Sequence, residues 1–214
     1  MTSHAVEAIT HGRVLVEDAA GPDTGRLLVA CHGYAQNAEI MLEDARRIPG
    51  VTEAWRLASV QALHRFYARG EQVVVASWMT RQDREQVIAD NIAYLDRAVE
   101  AAGGNEARAI VFLGFSQGAA MAYRAALGGR YPAAGIIALG GDVPPDVKAD
   151  TTRRWPPVLL GAGMRDTWYA PEKVAADEQF LRSRGLSHEI VRFDGGHEWT
   201  DEFRMAAGRW LQSL

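Results

Sequence analysis

The chain has 214 residues, 48% of them apolar, and 23 basic against 27 acidic side chains give a net charge of −4. That length and apolar fraction suit one packed domain spanning residues 1–214 and argue against disorder. The mild acidity, with no basic cluster interleaved with aromatics, argues against a nucleic-acid partner, and no apolar run approaches the ~18 residues of a membrane span.

Residues 1–7 hold neither a basic stretch nor an apolar run, so no leader peptide is expected there. Arg13 to Glu17 reads as a short strand, and the Gly, Pro and Asp of residues 19–25 as a turn. Arg26 to Cys31 is the first buried strand. Cys31 is the only cysteine. An intrachain disulfide is therefore excluded, and a reducing, cytoplasmic setting fits best. At the end of an apolar strand this thiol reads as a small buried hydrophobe. His32 to Gln36 is a loop, and a helix is expected from Ala38 to about Arg47, ended by Pro49-Gly50.

Trp55 to Val60 is the next strand. Residues 61–70 read as irregular, and Val73 to Trp78 fits a loop with aromatics as well as a strand. Thr80, with Asp83 three residues on, has capping-box-like spacing. The long helix it would start carries Ile88, Ile92, Leu95 and Val99 on one face and stops at Gly103-Gly104. Further strands are expected at 134–139, 156–160 and 187–193, with helices from Pro171 to Arg184 and from about Thr200 to Leu214. Strand, loop and helix alternate, and several strands are continuous apolar runs. The pattern is that of an open α/β fold, a mostly parallel sheet with helices on both faces.

Within that pattern the stretch 109–123 stands out. The apolar run Ala109–Leu113 leads into Gly114-Phe115-Ser116-Gln117-Gly118, and an alanine-rich helical run follows. A serine at the apex of a strand–turn–helix needs small neighbours, and glycines two residues before and after meet that need. The turn lifts the Ser116 hydroxyl above the sheet and aims the Gln117 N–H at whatever the hydroxyl attacks.

Functional groups of such a sheet gather beyond the carboxyl ends of its strands. The polar residues there are His32, Tyr34, Ser116, Asp142, Asp166 and His197. A serine hydroxyl needs a base, and the base an orienting partner. His197 is the histidine at a strand end after Ser116, whereas His188 begins its strand. Asp166 follows the strand before, and Asp142 competes with it for the acid role. The order Ser116, Asp166, His197 is that of α/β-hydrolases. The loop after the first buried strand should supply a second oxyanion donor, the Tyr34 N–H beside that of Gln117. His32 reads as structural, its ring bonding backbone. Phe66, Tyr67, Trp78 and Met79 are candidate pocket walls, or loop residues packed on the core. Residues 61–79 are too few for a helical cap.

The sequence resembles the phospholipase/carboxylesterase family of α/β-hydrolases, which includes acyl-protein thioesterases and small bacterial carboxylesterases. Residues 31–34 (CHGY), 114–118 (GFSQG), 161–166 (GAGMRD) and 195–197 (GGH) carry the resemblance. It implies Ser116 as nucleophile, Asp166 as acid, His197 as base, and Tyr34 and Gln117 as oxyanion amides. It also implies an α/β-hydrolase fold without a large cap, no metal or organic cofactor, and a small-molecule ester or thioester as substrate. Ala35-Gln36 replaces the family's Gly-Asp, Ala119 replaces a frequent second glycine, and Trp78-Met79 lies among Arg65, Arg69, Arg81 and Arg84. The residues suit hydrolysis, acyl transfer on the same machinery, or a silent copy that only binds ligand.

Overall fold

Residues 27–31, 110–115, 135–139 and 158–163 are buried along their whole length. Continuous burial of that kind is possible only for central strands covered on both faces. The computed structural model describes all residues except Met1, Ser3, Ala5 and Glu71. The reading of no leader in residues 1–7 lies partly outside the described residues.

In chain order, β1 (Arg13–Glu17) and β2 (Arg26–Cys31) precede α1 (Ala38–Arg46) and a single turn, α2 (Val51–Ala54). β3 (Arg56–Gln61) is followed by β4 (His64–Tyr67), β5 (Val74–Ser77) and the long α3 (Arg84–Ala101). β6 (Ala109–Phe115), α4 (Gln117–Gly128), β7 (Gly135–Leu139) and a short α5 (Pro145–Ala149) come next. The chain closes with β8 (Val158–Gly163), α6 (Pro171–Ser183), β9 (His188–Phe193) and α7 (Asp201–Gln212). Seven strands form one sheet in the order β1-β3-β2-β6-β7-β8-β9. Only the edge strand β1 runs antiparallel to its neighbour.

Alternate residues of the central strands feed two cores. Leu27, Val29, Cys31, Ile110 and Phe112 pack with Tyr94 and Leu95 of α3, Met121 of α4 and Leu181 of α6. Leu28, Ala30, Val111 and Leu113 pack with Met41 of α1 and with Phe203 and Trp210 of α7. With period-two side chains, each helix layer takes every second residue. All the parallel strands therefore end at one rim. Cys31 is fully buried, and that burial raises its thiol pKa.

The structure corrects three expectations. Residues 61–70 are not irregular throughout: within them β4 pairs antiparallel with β5, the strand alternative for 73–78, and the pair is tied to the loop after β2 by a bridge between Gln36 and Ala76. Thr80 does not cap α3. Its hydroxyl accepts from Gln82 N, and the helix starts after Asp83, whose φ is 48°. The cause lies upstream, where the carbonyls of Trp78 and Met79 accept from the side chains of Asn91 and Gln117. Those bonds tie residues 78–79 to α3 and to the turn at Ser116 before the helix begins. Finally, β8 runs on through Gly161-Ala162-Gly163, residues read as the end of the strand.

Candidate active site

Ser116 joins β6 to α4 with φ 54° and ψ −118°, a backbone state that L-residues rarely hold. The glycines on either side are there for space. A Cβ on Gly114 would lie 2.2 Å from the Gly118 carbonyl oxygen, and one on Gly118 would lie 2.1 Å from that of Cys31. The turn is thus wedged against its own helix and against the end of β2. This sharpness leaves the Ser116 hydroxyl at the rim, half-buried.

Ser116 Oγ is 2.7 Å from His197 Nε2, and His197 Nδ1 is 2.7 Å from Asp166 Oδ2. A carboxylate oxygen accepts, so Nδ1 carries the ring proton and Nε2 accepts from the serine hydroxyl. Phe115 packs against the imidazole at 5.1 Å between ring centres. The loops after β8 and β9 are laced together: Met164 N donates to Phe193 O, and Arg165 N to Gly195 O, each at 2.9 Å. Asp166 is 3% exposed, and its Oδ1 accepts from Trp168 N at 2.7 Å and Tyr169 N at 2.9 Å. Both carboxylate oxygens are therefore committed. Asp142 is exposed and does not meet His197.

Gln117 N–H and Tyr34 N–H have no hydrogen-bond partner among the described residues. The two segments that carry them touch, since a Cβ on Gly118 would lie 2.6 Å from the His32 carbonyl oxygen. His32 is fully buried, with Nε2 accepting from Ala62 N at 3.0 Å and Nδ1 donating to Gly33 O at 2.7 Å. Burial lowers its pKa, which keeps the ring neutral and fit to accept. His32 thus fixes the loop after β2 and stands outside the serine–histidine–aspartate line.

The candidate pocket walls separate. Trp78 is 0% exposed, and its indole N–H donates to His32 O at 2.8 Å. It props the loop from beneath and cannot line an open pocket, a correction to the sequence reading. Met79 is half-buried, with its sulfur 3.6 Å from a nitrogen of Arg124. Phe66 packs on Tyr34 with ring centres 5.7 Å apart, and Tyr67 stands 70% exposed further out on the hairpin.

Sequence reasoning missed the Gln117 side chain. Its Oε1 accepts from Trp78 N at 2.8 Å and its amide donates to Met79 O at 2.9 Å, clamping the exit of the hairpin to the turn at Ser116. The sequence pattern signalled only the backbone N–H of Gln117, not its side chain.

Most of the chain superposes on solved esterases and a thioesterase. Esterase PE8 gives a TM-score of 0.76 at 21% identity, over 96% of this chain and 100% of that one. Acyl-protein thioesterase 2 from Zea mays gives 0.73 at 17% identity, over 95% and 99%. A carboxylesterase from Mesorhizobium loti gives 0.71 at 21% identity, over 95% and 94%. No curated protein matches the chain in sequence. Identities this low establish the α/β-hydrolase fold. The Phospholipase/Carboxylesterase family model goes further and matches residues 16–214, so the chain belongs to the phospholipase/carboxylesterase family.

Proposed function

We propose that the protein is a serine hydrolase that cleaves carboxylic ester or thioester bonds through an acyl-enzyme on Ser116. The observation that carries the reading is the unbroken line from Ser116 Oγ through His197 to Asp166, each link 2.7 Å. Family membership supports hydrolysis of esters or thioesters.

In this mechanism His197 Nε2 takes the hydroxyl proton as Ser116 Oγ bonds to the substrate carbonyl carbon. The carbonyl π electrons move onto oxygen. Asp166 holds the Nδ1–H tautomer and stabilises the imidazolium. The N–H groups of Tyr34 and Gln117, free of partners among the described residues, stabilise the tetrahedral oxyanion. Collapse expels the alcohol or thiol, which takes the proton from His197. Water, deprotonated by the same nitrogen, then releases the acid and restores Ser116. Phe66 and Tyr67 on the hairpin are proposed to wall the substrate site. The setting is proposed to be cytoplasmic; among the described residues no helix is long and apolar enough to cross a membrane.

The test is covalent labelling with a fluorophosphonate, followed by peptide mapping. Label on Ser116, lost in Ser116→Ala together with esterase activity, is the expected result. Wild-type protein that takes no label at Ser116 while hydrolysing p-nitrophenyl esters would overturn the assignment. A series of p-nitrophenyl esters and acyl-thioesters then fixes chain length and leaving group.

A further inference from the structure

Asp177 is an oddity. It lies on α6 facing the interior, 1% exposed, where an apolar residue would complete the packing. Burying a carboxylate is costly unless donors surround it. Here the donors come from three separate segments. Val143 N donates to Oδ2 at 3.0 Å, the Tyr169 hydroxyl donates to Oδ2 at 2.9 Å, and Lys148 Nζ meets Oδ1 at 2.5 Å.

Two of those segments border the proposed triad. Tyr169, itself 1% exposed, gives its backbone N–H to Asp166 Oδ1 and its hydroxyl to Asp177. Val143 ends the stretch Gly140-Gly141-Asp142 that runs along the other side of the site. A Cβ on Gly140 would lie 3.1 Å from His197 Cε1, and one on Gly141 would lie 2.5 Å from Ser116 O. The Asp177 carboxylate thus joins the loop that carries the acid to the loop that backs the histidine and the serine. The Tyr169 phenol pKa is raised by burial, and further by the negative charge of Asp177. The hydroxyl therefore stays protonated, as its donor role requires.

We infer that Tyr169 and Asp177 are positioning residues for the hydrolytic reaction: the phenol–carboxylate bond on α6 sets the turn at 166–169, and so the aim of Asp166 at His197. Neither touches substrate. The inference rests on the proposed triad, and displacement by about an ångström at a catalytic group costs up to ~10²-fold in rate.

The experiment compares kcat and KM for p-nitrophenyl butyrate, with Tm, across four variants. Tyr169→Phe removes one hydroxyl and leaves the ring in place. It should lower kcat about tenfold while KM stays within about twofold, the pattern of an interaction made in the transition state. Leu181→Ala, on the same helix and fully buried, is the structural control. It should lower Tm by at least as much with kcat within about twofold of wild type. Asp177→Asn keeps an acceptor for the phenol and should retain more kcat than Asp177→Ala. If the alanine variant does not fold, Tyr169→Phe decides. A wild-type kcat in Tyr169→Phe, or a loss matched by Leu181→Ala, overturns the inference. Ser116→Ala is run beside them. If it is inactive and Tyr169→Phe is normal, only the positioning role fails. If it stays active, the triad reading falls and the positioning role with it.

Discussion

The turn at Ser116 and the β4–β5 hairpin lie against each other, yet they are built to opposite standards. At the turn almost nothing can change. Gly114 and Gly118 approach backbone atoms at 2.2 and 2.1 Å from where a Cβ would stand, and Phe115 and Ala119 are buried. Along the hairpin, every residue of β4 is exposed, and only β5 reaches the body, through Val75 and Ala76. The Gln117 side chain joins the two. A rigid turn can hold reacting groups in place, while an open hairpin can vary the surroundings without disturbing them.

The sharpest way to break this contrast is at the proposed triad. Asp166→Asn should lower kcat by ~10⁴, because the amide stabilises the wrong imidazole tautomer, with the fold intact. Asp142→Asn should leave kcat within about twofold. The reverse pattern in steady-state assays would move the acid to Asp142. Next comes Gly118→Ala. Its methyl would meet the carbonyl oxygens of Cys31 and His32, both backbone atoms that cannot swing aside. A loss of about 3–5 kcal/mol in denaturant unfolding is expected. A stability near wild type would mean that the end of β2 yields readily.

The same contrast explains what was legible in the sequence. Close packing leaves marks: the glycines around Ser116 announce a tight turn, and the apolar runs announce buried parallel strands. Asp166 and His197 were readable because functional groups collect at strand ends and chain order narrows the choice. The hairpin left no such mark, since β4 is exposed on both faces and shows no alternation. Its pairing is fixed from a distance, by Gln36 against Ala76. The start of α3 was misread because the carbonyls of Trp78 and Met79 bond the side chains of Asn91, well inside α3, and of Gln117 on α4, contacts that no capping-box spacing shows. The Asp177 contacts were invisible because they join α6 to the loop after β7, to α5 and to the loop after β8, segments that no local pattern connects.

A smaller effect is expected where the two regions meet. Arg124 on α4 is 1% exposed, approaches the Met79 sulfur and bonds Asp146 with two nitrogens, at 2.7 and 2.9 Å. The hydrogen bond from Arg124 holds the Asp146 carboxyl below its usual pKa, against desolvation, with the charges of Arg124 and Arg84 assisting. A carboxyl whose pKa is lowered in the folded state adds stability that is full above its unfolded pKa and lost as pH falls through the folded one. Asp146 is 38% exposed, so screening trims the effect, and Asp146→Asn should cost roughly 1–3 kcal/mol at neutral pH. The Tm gap between wild type and variant should close on acidification below the ordinary carboxylate range. A gap that stays constant with pH would show that the Asp146 charge is not what steadies Arg124.

The smallest effect on the fold should come from Tyr67→Ala. The ring is 70% exposed on the outer part of β4, opposite Val74, and exposed positions of this kind usually change stability by less than ~0.5 kcal/mol. Its Tm should therefore stay close to that of wild type. If the ring walls the substrate site, its loss removes binding that ground state and transition state share. KM should then rise while kcat holds. A lost aromatic contact of about 1 kcal/mol corresponds to roughly a fivefold rise in KM. The rise should grow along a p-nitrophenyl ester series, because a short acyl group does not reach the hairpin and a long one does. An equal KM for all chain lengths in wild type and variant would remove Tyr67 from the substrate site. A fall in kcat instead would mean that the hairpin helps to hold the turn at Ser116, and the division between rigid turn and variable hairpin would have to be redrawn.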